Sequence, residues 1–198
     1  MLFRSPVDVV TVAETAKKAV AQVERAAEVV RHLRALVRLD RSNRAPCRFE
    51  RIVEETIELC QPDLDRMHVA VRTAIAVDLP RIMVDLLQIE QVLINLLRNA
   101  IEAISESETL RGNVLIDAKV YDADFVEVRV VDSGPGFPAQ LVENAFLPLS
   151  SHKAEGLGIG LPLCRSIVEA HGGKLWLDDG SQGAAVHFTL PIAKTAQA

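Results

Sequence analysis

Apolar residues recur along the first forty positions with the spacing of a helix that packs in a bundle. Val12, Ala16, Ala19, Val23, Ala26, Val30, Leu33 and Val37 are separated by 4, 3, 4, 3, 4, 3 and 4 residues, the a/d repeat of a heptad. No Gly or Pro interrupts Val9 to Leu39. Ala13, Val20 and Ala27 widen the stripe beyond a two-stranded seam, as in a helix inside a bundle. One helix cannot cover its own seam, so the pattern favours an intermolecular bundle; the alternative is a helix packed on its own domain. The polar stretch Asp40 to Pro46 breaks the period and reads as a hinge or linker.

Beyond it the period alternates between that of helices and that of strands. Cys47 to Phe49 reads as a short strand. Glu50 to Cys60 places Ile52, Val53, Ile57 and Cys60 at helical spacing, and Pro62 ends or bends that helix. His68 to Ala76 and Arg81 to Val84 read as strands. Leu86 to Ile104 carries the strongest helical face: Leu86, Ile89, Val92, Leu93, Leu96, Leu97, Ala100 and Ile104. Val114 to Val120 and Phe125 to Val131 alternate as strands of a hairpin around Tyr121–Asp124. Residues 133–156, rich in Gly, Pro and Ser, read as a long loop. Leu161 to Ala170 predicts a helix with Pro162 tolerated in its first turn, and Lys174 to Leu177 and Ala185 to Leu190 two closing strands. Helices with a mostly antiparallel sheet predict an α+β, two-layer α/β sandwich preceded by the long bundle helix.

Composition narrows the partners. Twenty-two Lys+Arg against 27 Asp+Glu give a formal charge of −5 among 198 residues, which argues against bulk nucleic-acid binding. A polyanionic ligand would have to be held by local donors. Three cysteines without metal-ligand spacing read as reduced thiols in a cytoplasmic setting. No apolar run approaches the ~20 residues of a membrane span, and the expectation is no membrane contact by this part of the chain.

Three polar clusters stand out against the apolar pattern. Asn95 and Asn99 lie four residues apart on one helix; carboxamide oxygens are hard neutral ligands that suit Mg²⁺ when phosphates complete its shell. Alternatively, each is merely exposed or bonds a loop carbonyl. Asp132-Ser-Gly134-Pro-Gly136 follows a strand; a carboxylate can accept from an exocyclic amine, and glycines permit close approach, although the same letters also suit an ordinary turn. Lys153 precedes Gly156-Leu157-Gly158-Ile159-Gly160-Leu161, which opens a helix. Backbone N–H groups there suit a phosphate; the other reading is a flexible loop and helix cap. The spacing is neither a P-loop nor a Rossmann turn.

In this order, over residues 47–191, the clusters resemble the boxes of the ATP-binding catalytic domain of bacterial sensor histidine kinases, in the wider ATPase group of gyrase, Hsp90 and MutL. Gln91 to Ala103 resembles the N box, Asp132 to Gly136 the G1 box, Phe146 to Lys153 the F box and Gly156 to Leu161 the G2 box. The wording NLLRNAIEA and RSIVEAHGG is similar to the FixL and NtrB type. The resemblance implies ATP and Mg²⁺ as cofactors. Asn99 would hold the metal with Asn95 nearby, and Asp132 would bond the adenine amino group. Gly134 and Gly136 would shape the pocket. Lys153 with Gly156, Leu157, Gly158, Ile159, Gly160 and Leu161 would hold the phosphates, and Arg98 would meet the terminal phosphate.

Residues 23–37 resemble the second helix of a dimerisation and histidine-phosphotransfer hairpin. The implied organisation is hairpin helix 1–41, linker 42–46, ATP-binding domain 47–193 and tail 194–198. Histidines 32, 68, 152, 171 and 187 are followed by Leu, Val, Lys, Gly and Phe, not by the acidic residue typical of a phosphoacceptor. The expectation is therefore a fragment or variant beginning in the hairpin turn, whose parent is a homodimer, free or membrane-anchored, that phosphorylates a histidine-bearing helix and relays to a response regulator. His171, before Gly172-Gly173, reads as structural. Two departures stand out: Leu149 replaces a second Phe in the F box, implying looser lid packing, and Gly183-Ala-Ala lacks a hydroxyl residue near adenine, implying weaker affinity. A non-catalytic docking module and an anti-sigma-type serine kinase remain as alternatives.

Overall fold

The computed structural model describes residues 43–107, 112–137, 145–146, 160–178 and 183–194, together with positions 12, 15, 16, 19 and 20. Val12, Ala16, Ala19 and Val20 are helical and exposed. The rest of the heptad pattern, His32, His152, Leu149, Lys153 and Gly156 to Ile159 lie outside the described residues.

Strand β1 (Ala45–Cys47) pairs antiparallel with β3 (Ile82–Val84). It starts two residues earlier than its pattern suggested, because Phe49 already belongs to helix α1 (Phe49–Arg66). That helix buries Phe49, Ile52, Val53, Thr56, Cys60 and Leu64, a stripe at helical spacing. Pro62 neither ends the helix nor stops its packing: it sits inside α1 on the exposed side. Leu64, 3% exposed, anchors the turn beyond it, so burial outweighs the hydrogen bond that proline cannot donate. The helix stops where His68 takes φ 54°, a left-handed conformation that cannot continue it.

Strand β2 (Val69–Ile75) follows, and then α2 (Leu86–Ser105). Asp85 caps α2, its side chain accepting from the Gln88 N–H. Strands β4 (Gly112–Val120) and β5 (Phe125–Asp132) form the expected hairpin, with Val114 opposite Asp132. Helix α3 (Gly160–Ala170), β6 (Leu175–Asp178) and β7 (Ala185–Pro191) complete the order. The main sheet runs β2-β4-β5-β7-β6. Only β2 and β4 are parallel, since their connection passes through α2; the other pairs are antiparallel.

Alternation along the strands turns Val114, Ile116, Ala118, Val126, Val128, Val130, Phe188 and Leu190 into one core with the apolar faces of the helices. Each fully buried Leu, Ile or Phe contributes about 1.5–3 kcal/mol. The result is the two-layer sandwich, helices packed on one sheet. Its consequence is that α2 and α3 lie side by side, with the end of β5 close to the last turns of α2.

Candidate nucleotide site

Asp132 is the last residue of β5 and is 9% exposed. Its Oδ1 accepts from the Gly134 N–H at 2.8 Å and the Ala184 N–H at 3.2 Å. Its own N–H donates to the Ala184 carbonyl at 3.0 Å. Main-chain groups from two directions thus hold the carboxylate in one orientation, the requirement for recognising a planar amine.

The glycines earn their place by contact. A Cβ on Gly134 would lie 2.9 Å from Asp132 Oδ1 and 3.2 Å from the Ala103 backbone in α2. Gly183 has φ +83°, and a Cβ there would sit 1.8 Å from the Asp132 carbonyl oxygen. The turn after Asp132 is also tied to β4, because the Asn113 N–H donates to Ser133 Oγ at 3.0 Å.

The two asparagines of α2 part company. Asn99 is partly buried and faces the start of α3: a Cβ added to Gly160 would be 3.9 Å from Asn99 Nδ2. Its carboxamide therefore stands at the mouth where α3 presents its first N–H groups. Asn95, one turn earlier and 7% exposed, is turned between the helices. Gln91 Nε2 donates to its Oδ1 at 2.9 Å, and its Nδ2 donates to Cys164 Sγ at 3.8 Å. Arg98 is exposed and lies toward α1, where its charge opposes the rise that burial imposes on the Cys60 thiol pKa. Leu161 is in the first turn of α3, and Gly136, at φ +81°, packs toward the Gly183 carbonyl. Asp132, Gly134, Asn99 and Gly160 thus line the region between β5, the end of α2 and the start of α3. Among the described residues no group of three or more His, Cys, Asp or Glu is placed to hold a metal; the carboxamide of Asn99 is a hard neutral donor in this region.

Sequence reasoning missed what braces these groups. His171, 3% exposed, follows the last turn of α3 and accepts the Asp85 N–H at Nε2, 3.0 Å away. Its Nδ1 donates to the Ile167 carbonyl at 2.8 Å. Both contacts suit a neutral ring protonated at Nδ1, and burial lowers its pKa from the ordinary 6.5. Arg44 donates to the Ala170 carbonyl at the same helix end. The structural reading of His171 holds, but its partner, 86 residues away, leaves no local signal. Cys164 is wholly buried, which pushes its thiol pKa up to about 12. Among the described residues no helix is long and apolar enough to cross a membrane.

Comparison with known proteins agrees with this geometry. Residues 84–194, more than half of the chain, match the family "Histidine kinase-, DNA gyrase B-, and HSP90-like ATPase". The sensor protein FixL of Bradyrhizobium diazoefficiens is 36% identical over 177 residues, covering 89% of this chain and 35% of its own length. The chain spans about a third of the length of the curated relatives FixL and TdiS. The catalytic domain of histidine kinase ThkA superposes with a TM-score of 0.67 at 31% identity, covering 75% of this chain and 95% of that one. ThkA in complex with the response regulator TrrA gives 0.71 at 24% identity, over 96% and 53%. With α2, β5 and α3 all inside the matched residues, the chain belongs to the histidine kinase-, DNA gyrase B- and HSP90-like ATPase family and has the fold of a histidine kinase catalytic domain.

Proposed function

We propose that this chain is the ATP-binding catalytic region of a two-component sensor histidine kinase. It binds Mg·ATP and presents the γ-phosphate to a histidine on a phosphoacceptor helix, in cis or in trans, for relay to a response regulator. What supports the reading is a main-chain-clamped aspartate at the end of β5 whose turn packs on Ala103 of α2, one helical turn beyond the Asn99 carboxamide that faces the start of α3. The site suits the cofactor, because Asp132 is oriented for an amine and Asn99 offers a neutral oxygen beside helix N–H groups. When bound, Mg²⁺ supplies neutralisation of the phosphate charge.

In this reading Asp132 accepts from the adenine amino group, while Gly134 and Gly136 leave room for the purine. Asn99 holds the metal. Asn95 acts from between the helices. Gly160 and Leu161, with Lys153, Gly156, Leu157, Gly158 and Ile159 outside the described residues, hold the phosphates. The terminal-phosphate role that the resemblance implies for Arg98 is not carried into this reading, because Arg98 lies toward Cys60 on the α1 side of α2. His171 and His187 are buried at 3% and 8% exposure and are not acceptors. The response regulator comes from the analogy with ThkA, which is crystallised with one; the hairpin role of residues 1–41 comes from the resemblance of residues 23–37 to the second hairpin helix.

Titration calorimetry tests the site: Asn99→Ala should weaken Mg·ATP binding by at least about tenfold, or 1.4 kcal/mol. Undiminished affinity refutes the assignment. Phosphate transfer to a separate histidine-bearing helix, and not to a serine substrate, separates this reading from a serine kinase.

A further inference from the structure

The antiparallel pair α2 and α3 is joined by polar contacts at two levels and lies open at a third. At one end the Asp85 N–H meets His171 Nε2. At the other, Asn99 faces Gly160. Between them Cys164 Sγ lies 3.8 Å from both Asn95 Nδ2 and the Val92 carbonyl oxygen. Cys164 is one helical turn from Gly160, and Asn95 one turn from Asn99. The middle contact therefore sits directly behind the two groups that form the mouth of the site.

We propose that Cys164 is a positioning residue: by holding Asn95 and the Val92 carbonyl, it sets the separation between Asn99 and the first turn of α3. The proposal rests on the nucleotide reading above and deepens it. A thiol suits the task in a way a purely apolar group does not. Its pKa, raised by burial to about 12, keeps the S–H intact as a donor to Val92, and the sulfur accepts from Asn95. An apolar group of similar volume would fill the space but leave the Asn95 amide, 7% exposed, short of a partner. A buried amide in that state turns toward any other acceptor, and the tie that spaces α3 from α2 one turn behind Asn99 is lost.

The test compares Cys164→Val with Cys164→Ser in the full chain. Calorimetry with the non-hydrolysable ATP analogue AMP-PNP is run with Mg²⁺ and with chelator. Cys164→Val should leave the metal-free affinity within about twofold of the parent and weaken the Mg²⁺ half-saturation about fivefold, or about 1 kcal/mol at 1.4 kcal/mol per tenfold. Cys164→Ser, which keeps a donor and an acceptor, should restore the parent's Mg²⁺ dependence. If Cys164→Val does not fold, Cys164→Ala is read in its place. A folded Cys164→Val, or Cys164→Ala in its place, whose Mg²⁺ dependence equals the parent's overturns the positioning role, as does an equal loss with and without metal, which marks general packing damage. A parent chain that binds no AMP-PNP at all overturns the nucleotide reading itself.

Discussion

Gly183→Ala probes the contact that fixes the recognition aspartate. Two effects add at this position. The backbone has φ +83°, where an L side chain costs about 1–2 kcal/mol. The new Cβ would also fall 1.8 Å from the Asp132 carbonyl oxygen and 2.9 Å from its carbon. Both are backbone atoms, so the end of β5 and the start of β7 must move apart. That movement breaks the bonds between Asp132 and Ala184, each worth about 0.5–1.5 kcal/mol net and more for the one to the carboxylate. The expected loss is about 3–5 kcal/mol in all. Gly172→Ala provides the matched control: its φ is +85°, yet nothing lies within 4 Å of the added atom. It should lose only the conformational part, about 1–2 kcal/mol. Urea melts of the three proteins give the difference, and calorimetry with ATP shows whether adenine affinity falls along with it. Equal destabilisation by the two alanines, or parental ATP affinity in Gly183→Ala, refutes the argument that this close approach places Asp132.

Two further outcomes follow from the packing. His171 has a lowered pKa in the folded chain, from an ordinary 6.5, so between the two values the unfolded state binds more protons and stability rises with pH. Its contribution is complete above about 6.5 and is lost as pH falls toward the folded value. Urea midpoints at pH 5 and 7.5 should therefore differ more in the parent than in His171→Gln; equal pH dependence in both contradicts the neutral, Asp85-bonded ring. Pro62→Ala should stabilise by about 2 kcal/mol, the helix-interior cost of proline less its unfolded-state entropy advantage, since Pro62 is exposed within α1; a lowered melting temperature would show that the proline is preferred there.

Periodicity and local chemistry were enough to read most elements. The wide stripe of α2, the alternation of β4 and β5 and the order of polar clusters depend on neighbours within a few residues, so they can be read along one dimension. What each side chain meets across the core is a different matter. Pro62 predicts an end or bend in α1 because its missing donor is a local fact, while the burial of Leu64 that carries the helix onward is a tertiary one. Asn95 and Asn99 look equivalent in sequence, four residues apart on one helix. They differ only because α3 places a sulfur beside the first and an open glycine beside the second. Asp132 announced itself as a carboxylate ending a strand, yet its orientation is set jointly by the local Gly134 N–H and by Ala184, 52 residues on. The chain itself specified the periods, the turns and the chemical groups available; only the docking of α3 and β7 decided which of those groups share a pocket, because that docking brings together residues whose separation along the chain carries no information about their distance in space.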